Sequence, residues 1–202
     1  MLRHYSPYRS YYRVLKAIED DPVYDKKKSL PKIHAFVEGQ PLTIEKKSEI
    51  IVEHFCKNAY KKVGGHARAM VVTSSIERAI DFYKVITKML AERNSSYKAI
   101  VAFSDKVIDG KLVTESELNG FTSAEIEMRI EQEPYRFLIV ADKYQTGYDQ
   151  PLLHTMYVDK ILTDVKAVQT LSRLNRCHPK KLETFVLDFA NPPEQILEAF
   201  QR

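Results

Sequence analysis

Short apolar runs alternate along this chain with longer stretches in which apolar residues recur at helical spacing. Five runs are rich in β-branched residues and are typical of strands buried on both faces of a parallel sheet. They are AMVVT, KAIVAF, FLIVA, TMYVD and TFVLDF, beginning at positions 69, 98, 137, 155 and 184. Because helical patterns separate the runs, the sequence predicts an α/β fold in which a parallel sheet carries helices on both faces.

The helical patterns lie between these runs. Apolar residues recur at helical spacing over residues 43–62, and the paired glycines of VGGHA end this helix. Another stripe extends from Ile76 to Leu90, and a terminal helix is predicted near residues 194–201. Each predicted helix therefore follows or precedes a strand, as crossover connections require.

Two of the helices are preceded by capping signals. Ser74 with Glu77, and Thr122 with Glu125, have the spacing of a capping box, in which the side chains bond the first free N–H groups of a helix. The sequence therefore predicts helix starts just after the first predicted strand and near Thr122.

The first part of the chain has a different pattern. Four of the nine prolines fall within the first 41 residues, at positions 7, 22, 31 and 41. Proline disrupts both helix and sheet hydrogen bonding. We therefore predict an irregular connecting segment over residues 1–42 and one α/β domain over residues 43–202.

Composition narrows the classes of protein that remain. Hydrophobic residues make up 44% and charged residues 29% of 202 residues, which suits a globular domain with one sizeable core. No run of apolar residues is long enough to span a membrane, and the N-terminus lacks the apolar segment of a secretory signal. With two cysteines outside any C-x-x-C pair, the sequence indicates a cytoplasmic protein without a disulfide framework. The net charge of +4 is compatible with nucleic-acid binding but does not establish it.

In open parallel sheets, ligands bind at loops that follow the carboxyl ends of strands. The loop after the FLIVA strand reads DKYQTGYDQP. Gly147 in this loop can adopt a positive φ or let a ligand approach the backbone, and Asp149 offers a fixed acceptor. Taken alone, these two residues are equally consistent with an ordinary turn.

The stretch AVQTLSRLNR, residues 167–176, places polar side chains among apolar ones. If the stretch is helical, Gln169, Arg173 and Arg176 lie at i, i+4 and i+7 and project from one face. Arginine suits a polyanion because its planar guanidinium stays charged and binds two phosphate oxygens at once. The buried face is predicted to hold Val168, Leu171 and Leu174. By itself, this polar face favours a solvated surface over a phosphate contact.

The order of three motifs gives a more specific indication. AMVVTSS resembles motif IV, TGYDQP resembles motif V and QTLSRLNR resembles motif VI of superfamily-two helicases and translocases. The set is similar to their second RecA-like domain, most closely that in the R subunit of type I restriction enzymes. The resemblance covers roughly residues 44–190. Ser172 stands where many superfamily-two members have glycine, a variant that the restriction-type motors share.

The resemblance implies a role for particular residues. Arg173 and Arg176 would be arginine fingers that reach the γ-phosphate of ATP bound on a preceding domain. Gln169, Gly147 and Asp149 would contribute to the ATP site. Contacts to the DNA backbone would come from Ser74, Ser75 and Thr146.

The resemblance also implies an activity and partners. The whole protein would be an ATP-dependent translocase of double-stranded DNA within a type I restriction endonuclease, with ATP and Mg²⁺ as cofactors. Its partners would be duplex DNA, a preceding RecA-like domain that carries the phosphate loop, and the methyltransferase and specificity subunits. The sequence contains neither G-x-x-x-x-G-K-[ST] nor D-E-x-[HD], so we expect the isolated chain to bind no ATP or Mg²⁺ and to be inactive. We interpret it as one domain of a larger motor.

Another interpretation stays open at this stage. A RecA-like domain could bind nucleic acid or protein as a non-catalytic module. A dinucleotide-binding enzyme is disfavoured because no G-x-G-x-x-G follows the first strand. A metal site at the adjacent Cys177 and His178 is disfavoured because no partner ligands lie nearby in sequence.

Overall fold

A six-stranded sheet forms the centre of the protein in a computed structural model, which describes residues 5–7, 42–145 and 147–201. The predicted irregular segment therefore lies largely outside the described residues, and so does Thr146. The strands of this sheet are β1 (Tyr5–Pro7), β2 (Arg68–Thr73), β3 (Lys98–Ala102), β6 (Tyr135–Ala141), β7 (Leu153–Asp159) and β8 (Phe185–Asp188). A separate hairpin consists of β4 (Lys106–Ile108) and β5 (Lys111–Val113).

The helices connect these strands. They are α1 (Ile44–His54), α2 (Lys62–Gly65), α3 (Ile76–Glu92), α4 (Glu115–Asn119), α5 (Ile126–Ile130), α6 (Asp164–Leu171) and α7 (Pro193–Gln201). Five residues of π-helix, Phe55–Ala59, extend α1. Short 3₁₀ segments, Ser123–Glu125 and Ser172–Asn175, precede α5 and follow α6. In the described part of the chain, no helix combines the length and the apolar character that crossing a bilayer requires.

The strand order is β1-β8-β7-β2-β6-β3, and every neighbouring pair is parallel. Side chains alternate between the two faces, so Val71 packs with residues of α1 and α3, whereas Met70 packs with residues of α5, α6 and α7. Helices thus cover both faces of the sheet. The predicted α/β fold, a parallel sheet with helices on both faces, is confirmed.

The edge strand β1 was not expected from the sequence. Tyr5–Pro7, part of the segment predicted to be irregular, pairs with Val186, Leu187 and Asp188 of β8. The phenol of Tyr5 donates a hydrogen bond of 2.9 Å to Asp188 Oδ2. The prediction was therefore wrong for these three residues, because an edge position at the sheet tolerates a proline that a central strand would exclude.

One helix start also differs from the prediction. The N-cap of α3 is Ser75, whose hydroxyl accepts from the backbone N–H of Arg78. The predicted cap, Ser74, lies one residue earlier and is exposed. Adjacent serines have the same capping chemistry, so the backbone geometry at the end of β2 decides between them. The helix start is correctly placed at Thr122, but the predicted capping bond is not formed there, because the Thr122 hydroxyl donates to the Glu125 carboxylate at 3.2 Å and accepts from no backbone N–H of the described residues.

Candidate functional site

The loop that follows β6 runs from the carboxyl end of that strand to the amino end of β7. At its start, Lys143 pairs with the buried carboxylate of Glu115, and Lys160 donates to Asp142 at 2.5 Å. At its end, the N–H of Arg68, the first residue of β2, donates to Leu152 O at 2.9 Å. Since β2 is parallel to both strands, the loop extends along one face of the sheet from one end to the other.

Arg173 holds the middle of this loop against the segment that follows α6. Its Nη1 donates to Tyr148 O at 3.2 Å, and its Nε donates to Gln169 O at 3.1 Å. Tyr148 is itself buried, and its ring lies 4.8 Å from that of Tyr144. Arg173 therefore joins the predicted motifs V and VI through main-chain carbonyl groups.

Arg176 is not on the helix, contrary to the prediction that Gln169, Arg173 and Arg176 share a helix face. The α-helix ends at Leu171, a 3₁₀ turn follows, and Arg176 is extended with φ −71° and ψ 132°. The tighter 3₁₀ turn shifts the later residues around the axis. The buried positions agree better with prediction, since Leu171 and Leu174 are fully buried and Val168 is half-buried.

The side chain of Arg176 nevertheless meets the predicted motif V residue Asp149. Its Nε lies 3.2 Å from Asp149 Oδ1, and the two side chains are 43% and 65% exposed. An ion pair this exposed contributes at most about 1 kcal/mol. The guanidinium of Arg176 is thus oriented by Asp149 but can leave it for a stronger anion.

Lys181 holds the backbone at Arg176. Its ammonium group donates to Arg176 O at 3.0 Å and to Pro151 O at 3.3 Å. Burial lowers the pKa of Lys181 to about 8, against the opposing influence of Cys177 and Asp149. Sequence reasoning overlooked this lysine, because nothing in the pattern HPKK distinguishes a lysine that spans two loops from a solvated one.

The remaining predicted ATP-site residues lie close in sequence to this contact. Gly147 has φ +72° and is exposed, in the left-handed conformation that glycine adopts without strain. The side chain of Gln169 is exposed on α6, and the main-chain carbonyl oxygen of Gln169 accepts from Arg173 Nε and from the hydroxyl of Ser172. The structure therefore brings together Asp149, Arg173 and Arg176, with Gly147 in the same loop.

Two of the predicted DNA-contact residues, Ser74 and Ser75, lie elsewhere. Ser74 and Ser75 follow the carboxyl end of β2, whereas the Leu152 carbonyl that ends the motif V loop bonds the amino end of that strand. A strand of this length spans roughly 20 Å. The two serines thus lie toward one end of the sheet, and the Asp149 and Arg176 contact lies toward the other.

A buried carboxylate beside the serines was missed by the sequence analysis. Asp159, the last residue of β7, pairs with Lys47 of α1 and with Arg78 of α3, whose Nε lies 3.2 Å from Asp159 Oδ2. Thr73 and Asp159 are partners in the sheet register. The sequence feature that could have identified Asp159 is an acidic residue at the end of an apolar strand. Its two cationic partners come from helices distant in sequence, so no local pattern connects them to Asp159.

The residues can be tested against the ATP that the resemblance implies. Among the groups predicted to contact ATP, the guanidinium of Arg176 fits a phosphate best, because it is exposed and its partner is a solvated carboxylate. Arg173 uses Nε and one terminal nitrogen on main-chain carbonyls. In the described residues, no group of three or more His, Cys, Asp or Glu side chains could hold a metal ion.

Comparison with known proteins agrees with the motifs. Residues 108–191 match the family model described as type I restriction enzyme subunit R domain 3. In Methanocaldococcus jannaschii, the type I restriction enzyme MjaIXP endonuclease subunit is 28% identical over 197 residues, covering 94% of this chain and 18% of that protein. The HindI endonuclease subunit of Haemophilus influenzae is 25% identical over 160 residues, covering 75% of this chain and 15% of that protein. These matches confirm the resemblance to the R subunit.

The chain spans less than a fifth of the length of these curated relatives. Among solved structures, the C-terminal part of the Fun30 ATPase domain aligns with 96% of this chain and 64% of its own, with a TM-score of 0.43 and 12% sequence identity.

Proposed function

We propose that this chain, whose sequence resembles a domain of the R subunit, is the second RecA-like domain of an ATP-dependent translocase of double-stranded DNA in a type I restriction endonuclease. The observation that carries the proposal is the contact between the two motifs. Arg176 is exposed and oriented by Asp149, while Arg173 and Lys181 hold the backbone on either side. An arginine finger requires this combination of a fixed backbone and a guanidinium that can reach an anion.

The division of roles between the arginines follows from their contacts. Arg176 would stabilise the negative charge that develops on the transferred phosphoryl group, since its guanidinium is accessible. Arg173 would contribute through one terminal nitrogen while its other bonds keep the motif V loop in place. Gln169, Gly147 and Asp149 would complete this side of the ATP site.

DNA would be bound at the opposite end of the sheet. Ser74 and Ser75 lie where β2 passes into the 17-residue helix α3, whose N-terminal N–H groups favour a phosphate. Arg78 adds a positive charge in the first turn of α3, although Asp159 balances part of it. Thr146, which precedes Gly147 in sequence, is a further predicted contact to the DNA backbone; it lies outside the described residues, and this division of the sheet does not include it. Such contacts position duplex DNA without reading its sequence.

The rest of the motor would supply what this chain lacks. A preceding RecA-like domain would hold ATP and Mg²⁺ through its phosphate loop and acidic residues. The methyltransferase and specificity subunits would be the further partners of the restriction complex, which acts on DNA in the cytoplasm.

The decisive experiment uses the longer protein that contains both RecA-like domains. Arg176→Ala should lower ATP turnover by at least about 10³-fold and leave nucleotide and DNA binding close to wild type, because a finger acts mainly on the transition state. Arg176→Lys should not restore turnover, since an ammonium group lacks the planar guanidinium. Steady-state ATP hydrolysis with duplex DNA measures both.

Lys166→Ala is the matched control, because Lys166 is an exposed cation on α6. It should hydrolyse ATP at the wild-type rate. Turnover near the wild-type rate in a folded Arg176→Ala protein would contradict the finger assignment and favour a non-catalytic binding module.

A further inference from the structure

A pocket of about 330 Å³ opens at the amino end of the sheet, and its lining includes none of the described residues predicted to contact ATP or DNA. One wall is the Lys61–Gly64 turn that follows the π-helical segment, and the other is the Lys180–Glu183 segment that leads into β8. His154, near the start of β7, is only 3% exposed and forms the floor. The volume lies at the lower end of the range for small-ligand sites.

The walls of this pocket are positively charged. Lys61, Lys62 and Lys180 contribute to its lining, and Glu183 is the acid among the lining residues. Glu183 forms an ion pair with Lys62, so the excess positive charge resides on Lys61 and Lys180, both exposed. The Lys61 ammonium lies 5.5 Å from the Tyr60 ring centroid. Like charges that line one pocket repel one another, and an anion bound there would relieve that repulsion.

The backbone of the first wall is held in an unusual conformation. Val63 has φ +54° although it is β-branched, and Gly64 and Gly65 follow with φ +65° and +87°. A left-handed backbone is strained for a β-branched residue, and such strain concentrates at ligand sites. The valine is buried, so its packing holds the strained turn in place.

Gly64 also allows the two walls to approach. A Cβ atom at this position would lie 2.5 Å from Cδ and 3.3 Å from Nζ of Lys180. The absence of a side chain at Gly64 therefore lets the Lys180 side chain lie against the turn, with its ammonium group beside Gly64.

We propose that this pocket binds a phosphate group, with Lys61 and Lys180 supplying the charge. Phosphate is the favoured anion because it accepts hydrogen bonds from several ammonium groups at once. The phosphate could belong to the DNA backbone or to a free nucleotide or polyphosphate. The proposal does not depend on the arginine-finger assignment, because the pocket shares no residue with the Asp149 and Arg176 contact.

The test is a titration of the ¹⁵N-labelled 202-residue chain, followed by amide chemical shifts, with inorganic pyrophosphate and separately with a short mixed-sequence duplex. We expect saturable shifts at Gly64, Gly65 and Lys180. The double variant Lys61→Gln/Lys180→Gln should weaken binding of the responsive probe by at least about threefold, and should flatten the salt dependence of duplex binding by about one unit of slope per lost phosphate contact.

The control is Lys84→Gln/Lys88→Gln, which removes the same charge from exposed positions of α3 and should bind as wild type does. Pocket shifts with both probes, or with duplex alone, support a site for the DNA backbone. Pocket shifts with pyrophosphate alone support a site for a free phosphate compound. The proposal is overturned if neither probe shifts the pocket amides, or if the two double variants weaken binding equally.

Discussion

Two arginines three residues apart have different surroundings in this protein. Arg173 is half-buried and bonds the carbonyl groups of Tyr148 and Gln169, whereas Arg176 is exposed beside Asp149. A guanidinium that donates hydrogen bonds to a main-chain carbonyl group stabilises the position of that backbone. An exposed ion pair adds little stability. Replacing Arg173 should therefore affect stability more than replacing Arg176, whose replacement should mainly affect catalysis.

Arg173→Ala should lower the free energy of unfolding of the isolated chain by about 1–3 kcal/mol, because hydrogen bonds from a charged group to the main chain are lost. Arg176→Ala should lower it by less than about 1 kcal/mol, because its partner stays solvated. Urea unfolding of the two variants measures both values. Equal destabilisation would show that Arg173 does not hold the motif V loop.

The stability of the folded protein depends on pH through His54. Burial, and secondarily the nearby His154, lowers the pKa of His54 from its ordinary value of 6.5 to about 4. Between pH 6.5 and 4, His54 is therefore protonated in the unfolded chain and neutral in the folded protein. The free energy of unfolding falls as the pH is lowered through this range. The loss from this one group amounts to about 3 kcal/mol.

The variant that tests this is His54→Phe combined with Tyr157→Phe, since Tyr157 Oη lies 2.8 Å from His54 Nδ1 and would otherwise lose that partner. A phenyl ring can keep the stacking on Phe185, whose ring centroid is 4.5 Å away. Unfolding free energies of this variant should fall less steeply between pH 6.5 and 4 than those of wild type. The exposed His66→Gln variant should keep the wild-type slope, and equal slopes in all three proteins would refute the assignment to His54.

At the scale of elements, the hydrophobic periodicity of the sequence predicts the longer strands correctly. All five predicted strands are present, because a run such as AMVVT is apolar on both faces and fits only the middle of a covered sheet. The order of the strands is not encoded in any local pattern. The short strands β1, β4 and β5 were missed, since three residues are too few for a period of two to be visible.

The candidate site was only partly accessible from the sequence. The motifs identify Asp149 and Arg176, which the fold brings to 3.2 Å of each other. The helical template placed Arg176 on the wrong surface, because the change from α-helix to 3₁₀ turn after Leu171 has no distinct sequence signal. Lys181 and Asp159 were missed because their partners come from elements distant in sequence.

Asp159 joins three elements, and its replacement tests how strongly they depend on it. The side chains of Lys47 and Asp159 are 11% and 6% exposed, so Asp159→Asn would leave a buried ammonium group without its counter-charge. We expect a loss of about 3–5 kcal/mol in the free energy of unfolding. Denaturant titration of the isolated chain measures it.

Two further variants make this prediction specific. Adding Lys47→Met to Asp159→Asn should recover most of the lost stability, because the buried charge is removed as well. Asp142→Asn breaks the Lys160 pair, in which the carboxylate is 83% exposed, and should change stability by less than about 1 kcal/mol. A silent Asp159→Asn variant would mean that the three elements are held by apolar packing alone.

At the scale of the whole molecule, the proposed ATP contact and the proposed DNA contact of the two serines lie at opposite ends of the sheet. The motif V and VI contact lies toward the amino end of β7, and Ser74 and Ser75 lie at the carboxyl end of β2. A parallel sheet is rigid because its strands are hydrogen-bonded along their length. A small displacement at the ATP-facing end would therefore move the proposed DNA-facing end as one body, which is what a translocating motor requires.

The proposed role of Arg176 as an arginine finger predicts how the isolated chain behaves with ATP. An arginine finger acts on a triphosphate that another domain holds, and the sequence contains no phosphate-loop lysine or D-E-x-[HD] acid to hold it. The purified chain should therefore hydrolyse ATP no faster than a protein-free blank, with or without duplex DNA. A coupled steady-state assay measures this, and mixing the chain with the separately produced preceding domain should raise turnover only when Arg176 is intact. If the chain alone hydrolyses ATP and Arg176→Ala abolishes that activity, the catalytic site lies within this domain and the two-domain assignment fails.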